Sequence, residues 1–321
     1  MAETLPEKFG RFRILDVLGR GAMGVVYRGE DLGLGRPVAI KVLHLEDLSD
    51  EGVERMLREA HTLARLEHPG IVPIHDHGRL ADGRVYYAMK RVRGEQLGRH
   101  VTAETPVAER LRLFLKICET VGFAHAAGVL HRDLKPENVM VGEFGEVLIL
   151  DWGVAKWTSE ARADLPGRTA GAPAPPPPSP TGRGRDTAPG TILGTPAFMA
   201  PEQASGDTAR IDARTDVYGL GGTLWFLLTG RVPGEPGSAP VPKSLESICR
   251  RAMAPDPAER YASAGELAAD VQRFLEGARV LAHAEGPVER AARLVKRYRV
   301  PIGLVLAYLL VRVAIWVFLR R

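Results

Sequence analysis

The sequence predicts an α+β protein of two unequal lobes, a small β-rich one carrying a single helix and a larger helical one, followed by a C-terminal transmembrane helix. Three observations predict it. Residues 11–93 are mostly short β-rich runs broken by Gly or polar turns. From about residue 106 the apolar pattern turns helical, and residues 300–319 form a 20-residue apolar run. At 321 residues the chain has room for one large domain or two ordinary ones, and its 45% hydrophobic and 26% charged residues are those of a globular protein.

The β-rich part contains "RFRILDVLGRG", "GVVYRGED", "RPVAIKVLHL" and "RVYYAMKRV", with β-branched and aromatic residues between turn signals. One stretch interrupts them, "DEGVERMLREAHTLARLEH". Its Val53, Met56, Leu57, Ala60, Leu63 and Ala64 recur at three- and four-residue steps and predict a helix. Further on, "AERLRLFLKICETVGFAHAAG" and "TDVYGLGGTLWFLLTG" predict the main helices of the larger lobe. Residues 166–190, with eight Pro and five Gly, cannot bury a core and predict an extended loop. Such a run is a spacer or, less commonly, a ligand for a polyproline-binding domain. These boundaries give a domain over 12–275 (lobes 12–93 and 94–275), a basic juxtamembrane segment over 276–299 and a transmembrane helix over 300–319. No internal repeat is evident.

Charge is unevenly spread. Residues 279–321 hold nine Lys/Arg against two Glu, a net of +7, and leave the first 278 residues with 34 basic and 37 acidic groups. A nearly neutral body argues against a nucleic-acid partner, and the basic tail points at an anionic lipid surface. Twenty residues at 1.5 Å each match a bilayer core. Arg312 opposes insertion by about 2.5–3.5 kcal/mol, but the aliphatic and aromatic residues around it outweigh that; the competing reading is a helix lying on the surface. The basic N-terminal flank predicts a single pass in the cell membrane with the main domain in the cytoplasm, and shelter for Arg312 suggests homodimers through this segment. The start lacks the pattern of a secretory signal, and Cys118 and Cys249, far apart in helical patterns, are expected to be buried thiols.

The chemistry starts at "GRGAMGVV". Glycines at Gly19, Gly21 and Gly24 let backbone N–H groups approach phosphate oxygens. A dinucleotide-binding turn would need a helix next, whereas "VVYRGE" follows, so the glycines are expected at a hairpin tip. An apolar strand, "VAIK", then delivers Lys41, either a phosphate-binding charge or a strand-end lysine in solvent, and Glu59 on the amphipathic helix is placed to fix it. The polar cluster Asp133, Lys135 and Asn138 in "HRDLKPENVM" is hard to justify as structure alone. Its groups can accept a hydroxyl proton, neutralise developing phosphate charge and ligate Mg2+. In "LDWGVAK", Asp151 is a metal ligand or an ordinary strand-ending turn. His75 and His77 in "IHDHG" offer a weaker metal reading.

Together these residues resemble the eukaryotic-type serine/threonine protein kinases, especially membrane-linked bacterial members. The likeness runs from about Phe12 to Leu275 and adds Ala200–Glu202, the A-P-E motif. It implies the bilobal kinase fold, ATP with Mg2+ (Mn2+ as an alternative ion), protein substrates, and autophosphorylation in signalling. It places Leu18, Val26, Ala39, Met89, Lys90 and Val92 with the glycines and Lys41 at the nucleotide, Met89 as gatekeeper and Lys90–Val92 as hinge. It makes Asp133 the catalytic acid–base, Lys135 and Glu59 its helpers, and Asn138 and Asp151 the metal ligands. Asp216 resembles the aspartate anchoring the catalytic-loop backbone, and Glu202 with Arg260 a buried ion pair. Thr191, then Thr187, are the implied regulatory phosphosites, and Thr195 is expected to contact the catalytic loop. Trp152 departs from the family's Phe and is expected to pack under the Glu59 helix. The short stretch between Gly230 and Ser244 departs too, since the family fits a further helix there. The rival reading is a pseudokinase-type nucleotide-binding scaffold, whose usual mark is loss of Lys41, Asp133, Asn138 or Asp151; all four are present.

Overall fold

Burial of apolar strand residues builds the first lobe, alternating along strand β3, Gly24–Asp31, and continuous along most of β4, Arg36–Leu43. They join β1 (Lys8–Phe9), β2 (Phe12–Gly21), β5 (Ile74–Arg79) and β6 (Val85–Lys90) in one six-stranded antiparallel sheet of order β1-β2-β3-β4-β6-β5. The computed structural model describes residues 7–21, 24–43, 64, 66–80, 82–152, 196–236, 240–291 and 299–319. The helix expected around Glu59, the insertion over 166–190, Gly153, Thr187, Thr191 and Thr195 lie outside them. A core of Phe9, Phe12, Ile14, Val25, Tyr27, Val38, Ile40, Val42, Tyr86 and Ala88 packs on one face of the sheet. Two strands of this sheet were not foreseen, β1 and β5. The second holds "IHDHG", and its register against β6 shifts between Ile74 and Asp76.

The second lobe is helical. Helix α1 (Leu97–His100) leads to α2 (Val107–Ala126), which buries Leu111, Phe114, Ile117, Cys118, Val121 and Ala124 at three- and four-residue steps. A small antiparallel sheet follows, β7 (Gly94–Gln96), β8 (Val139–Gly142) and β9 (Val147–Ile149). After α3 (Pro201–Ala204) comes α4 (Ala213–Thr229), capped by Asp212 on Arg214 N at 2.7 Å and ended by Gly230 at φ 70°. Helices α5 (Lys243–Ala252) and α6 (Ala264–Leu275) complete one continuous core with α2 and α4. Residues 231–236 hold no helix, in line with the short connection.

The core reaches past the expected boundary at Leu275. Val280 is buried in it, and Asp270 of α6 accepts hydrogen bonds from Leu281 N at 2.8 Å and Ala282 N at 2.9 Å. Period alone did not reveal this, because residues 276–283 form no helix and are held by backbone bonds. Helix α7, Arg299–Leu319, is 21 residues long and exposes Leu304, Tyr308, Val313, Trp316 and Phe318 among others. Among the described residues no helix is long and apolar enough to cross a membrane, and several α7 positions have side chains outside them.

Candidate active site

The glycine segment is the tip of the β2–β3 hairpin, with Gly21 opposite Gly24 and Gly19 opposite Val26. A Cβ on Gly19 or Gly21 would meet nothing within 4 Å, so their backbone faces open space. Gly24 differs: at φ 152° an added Cβ would sit 2.1 Å from Val42 O. Its glycine serves the approach of β3 to β4. Lys41 lies opposite Val26 on one side and Tyr87 on the other, and Ala39 opposite Met89. Ala39 is buried, Leu18 half exposed, and Lys90 N donates to Pro73 O at 3.0 Å, so that hinge amide is already taken.

Between the lobes, the Lys41 ammonium, 6% exposed, pairs with the Asp151 carboxylate across 110 residues of sequence. Asp151 has φ 56°, a left-handed conformation that costs a non-Gly residue about 1–3 kcal/mol and persists only where the surroundings enforce it. Trp152 next to it is 4% exposed, donates its indole N–H to Ile149 O at 3.1 Å and meets the His131 ring edge-on at 4.7 Å. The expected contact with the Glu59 helix lies outside the described residues; the observed anchor is the catalytic loop.

That loop runs from His131 to Asn138. Lys135 Nζ donates to both Asp133 oxygens, at 3.0 and 2.8 Å, and Asn138 Nδ2 donates to Asp133 Oδ2 at 2.9 Å and Asp133 O at 2.7 Å. Asn138 Oδ1 is thereby left as the acceptor atom of its amide. His131 is buried, and its Nε2–H donates to Leu150 O at 2.9 Å while Nδ1 accepts from Asp133 N at 3.2 Å. Burial depresses its pKa below the usual histidine value, against the pull of Asp216, so it stays neutral. Asp216 Oδ2 accepts His131 N at 2.8 Å and His125 Nε2 at 2.8 Å, and Oδ1 accepts Arg132 N at 2.6 Å. Burial alone would raise this carboxyl, but the His125 bond and the Arg132 backbone donor hold it low. Arg132 is left-handed, φ 69°.

Behind this loop, Arg260 spends all five guanidinium donors, two of them on Glu202 at 2.7 and 2.9 Å, both side chains being fully buried. Thr215 Oγ1 adds a bond to Glu202 at 2.9 Å. Among the described residues no group of three or more His, Cys, Asp and Glu is arranged to hold a metal.

Residues 12–278 match the model of the protein kinase domain. The chain is a member of the protein kinase family. It is 37% identical over 304 residues to the serine/threonine-protein kinase PknD of Chlamydia caviae, covering 83% of this chain and 31% of that one. With the PknD of Protochlamydia amoebophila it shares 35% over 311 residues, covering 85% and 31%. The chain thus spans about a third of the length of the curated relatives it matches. Among solved structures, the PknI kinase domain of Mycobacterium tuberculosis aligns with a TM-score of 0.61 at 29% identity, covering 84% of this chain and 99% of that one. The chain is thus similar to eukaryotic-type serine/threonine protein kinases, and its own two lobes are those of the protein kinase fold.

Of the site residues expected from the motifs, Lys41 pairs with Asp151, and Asp133 is bonded by Lys135 and Asn138. Sequence reasoning missed His125, His131 and Gln203, whose bonds to Asp216, Leu150 and Arg132 hold the loop. Only their nearness to recognised motifs could have marked them.

Proposed function

We propose that this kinase domain transfers the ATP γ-phosphoryl group to Ser or Thr of protein substrates. The observation that carries it is the Asp133–Lys135–Asn138 knot of one loop beside the Lys41–Asp151 pair, the two being tied by Leu150 N, which donates to Asn138 O at 2.7 Å. Asp133 would accept the substrate hydroxyl proton at its carboxylate while Lys135, already bound to it, balances charge on the moving phosphoryl. Lys41, tied to β4, would hold the nucleotide phosphates. Asn138 Oδ1 and the half-exposed Asp151 carboxylate are hard oxygen donors of the kind Mg2+ takes, few in number so that phosphates complete the shell. The bound ion would neutralise phosphate charge. Mn2+ fits the same donors.

The test is incubation of the full chain with labelled ATP and Mg2+. Asp133→Asn and Lys41→Ala are each expected to cut phosphoryl transfer by at least a hundredfold with folding intact. Native-like turnover in Asp133→Asn would sink the assignment. Phosphosite mapping in the same experiment asks whether Thr191 or Thr187 is modified.

The membrane reading is part of this proposal. Helix α7 is about 31 Å long at 1.5 Å per residue, with Arg312 its sole charge after Arg299. Arg290, Arg293, Lys296 and Arg297 precede it and Arg299 opens it, which favours a cytoplasmic kinase domain and attraction to anionic lipid. The full chain is expected to stay with membranes in alkaline carbonate; release would mean that α7 lies on the surface. Self-association through α7 is read by cross-linking in the same membranes.

A further inference from the structure

The peptide joining Arg132 to Asp133 carries the catalytic carboxylate, and it is held at both ends. Its N–H, on Asp133, donates to His131 Nδ1 at 3.2 Å; its carbonyl, on Arg132, accepts from Gln203 Nε2 at 2.8 Å. Gln203 is the third residue of α3, and its Oε1 accepts Ala200 N, the N-cap amide, at 3.3 Å. The amide orientation is fixed, because only Nε2 can donate to a carbonyl and only Oε1 can accept from an N–H. A glutamate would cap this helix as well or better, since a carboxylate there suits both the free amide and the helix dipole. It could not donate to Arg132 O. The residue in this chain is the one that does both.

We propose that Gln203 is a positioning residue for phosphoryl transfer, pinning to helix α3 the peptide plane that aims Asp133. Arg132 at φ 69° sits in a conformation that its own side chain disfavours, so the plane next to it stays in place only while external partners grip it. Asp216 grips the preceding peptide through Arg132 N, and Gln203 is the partner on the carbonyl side. Gln203 comes from the stretch after Pro196–Phe198, so the order of that stretch reaches Asp133 through one hydrogen bond. The inference rests on Asp133 as proton acceptor.

Two reciprocal variants of the full chain separate positioning from capping. Gln203→Glu keeps the acceptor for Ala200 N and sets a carboxylate against Arg132 O. It is expected to lower kcat about tenfold, leave KM for ATP unchanged and keep the native melting temperature. Gln203→Lys keeps a donor for Arg132 O and loses the cap. It is expected to recover part of the lost kcat while melting lower. Native kcat in Gln203→Glu, or losses of kcat that follow melting temperature across the two variants, would overturn the inference. Asp133→Asn is run beside them: if it retains turnover, the underlying reading fails. If it is inactive while Gln203→Glu is native-like, only the role of Gln203 fails.

Discussion

Gly24, Gly19 and Gly21 are spaced as one motif, yet their backbones meet different surroundings. At Gly24 the missing Cβ makes room for Val42 O, and φ 152° adds strain for any other residue. Gly24→Ala is expected to cost about 2–4 kcal/mol of stability, seen as a lower urea midpoint. Gly19→Ala and Gly21→Ala meet open space and should stay within about 0.5 kcal/mol of the native chain. Their loss is expected in ATP affinity instead. Equal destabilisation by all three would refute this division. The spacing was legible in the sequence; which glycine serves the fold was not, because Val42 belongs to a different strand.

At the scale of elements, the catalytic loop and α3 are held by buried charges. Arg260→Met removes the only guanidinium on Glu202 among the described bonds and strands a fully buried carboxylate, which should cost about 3–5 kcal/mol. Equilibrium denaturation measures it, and a loss under 1 kcal/mol would contradict the geometry. Acid acts on the same elements in two windows. An unfolded chain protonates ordinary histidine below about pH 6.5, whereas buried His131 resists, so stability declines as pH drops through that value. Asp216, Glu202 and Asp270 are each held below the usual carboxylate range despite burial, by His125, Arg260 and backbone donors respectively. Their contribution is present above about pH 4 and is lost as pH falls further. Denaturation midpoints that stay level from pH 7 to pH 3 would show that these groups carry no such linkage.

For the whole molecule, the domain ends later than its last periodic helix. A chain cut after Gly277 exposes the site of Val280 and takes two backbone donors from Asp270. It should melt several degrees below a chain cut after Ala291, since each lost kcal/mol shifts the midpoint of a domain this size by about 2–4 °C. Identical melting of the two would mean that residues 278–291 add nothing to the fold. His283 ties this segment to α5 through Ser247 at 3.1 Å and is bonded to Glu289 at 3.1 Å.

By itself the sequence determined the lobes and the β2–β3 hairpin tip and marked the five side chains on which the proposed chemistry rests, because period and motif spacing are local properties of the chain. It also determined the Glu202–Arg260 pair through resemblance. Tertiary structure alone decided what holds those groups in place: the neutral His131 tautomer, the carbonyl grip of Gln203 and the Asp270 latch on Leu281 and Ala282. Each joins atoms of separate elements or irregular segments through a backbone amide or carbonyl. Every residue type except proline carries both groups, so no residue pattern reports which of them a side chain will find.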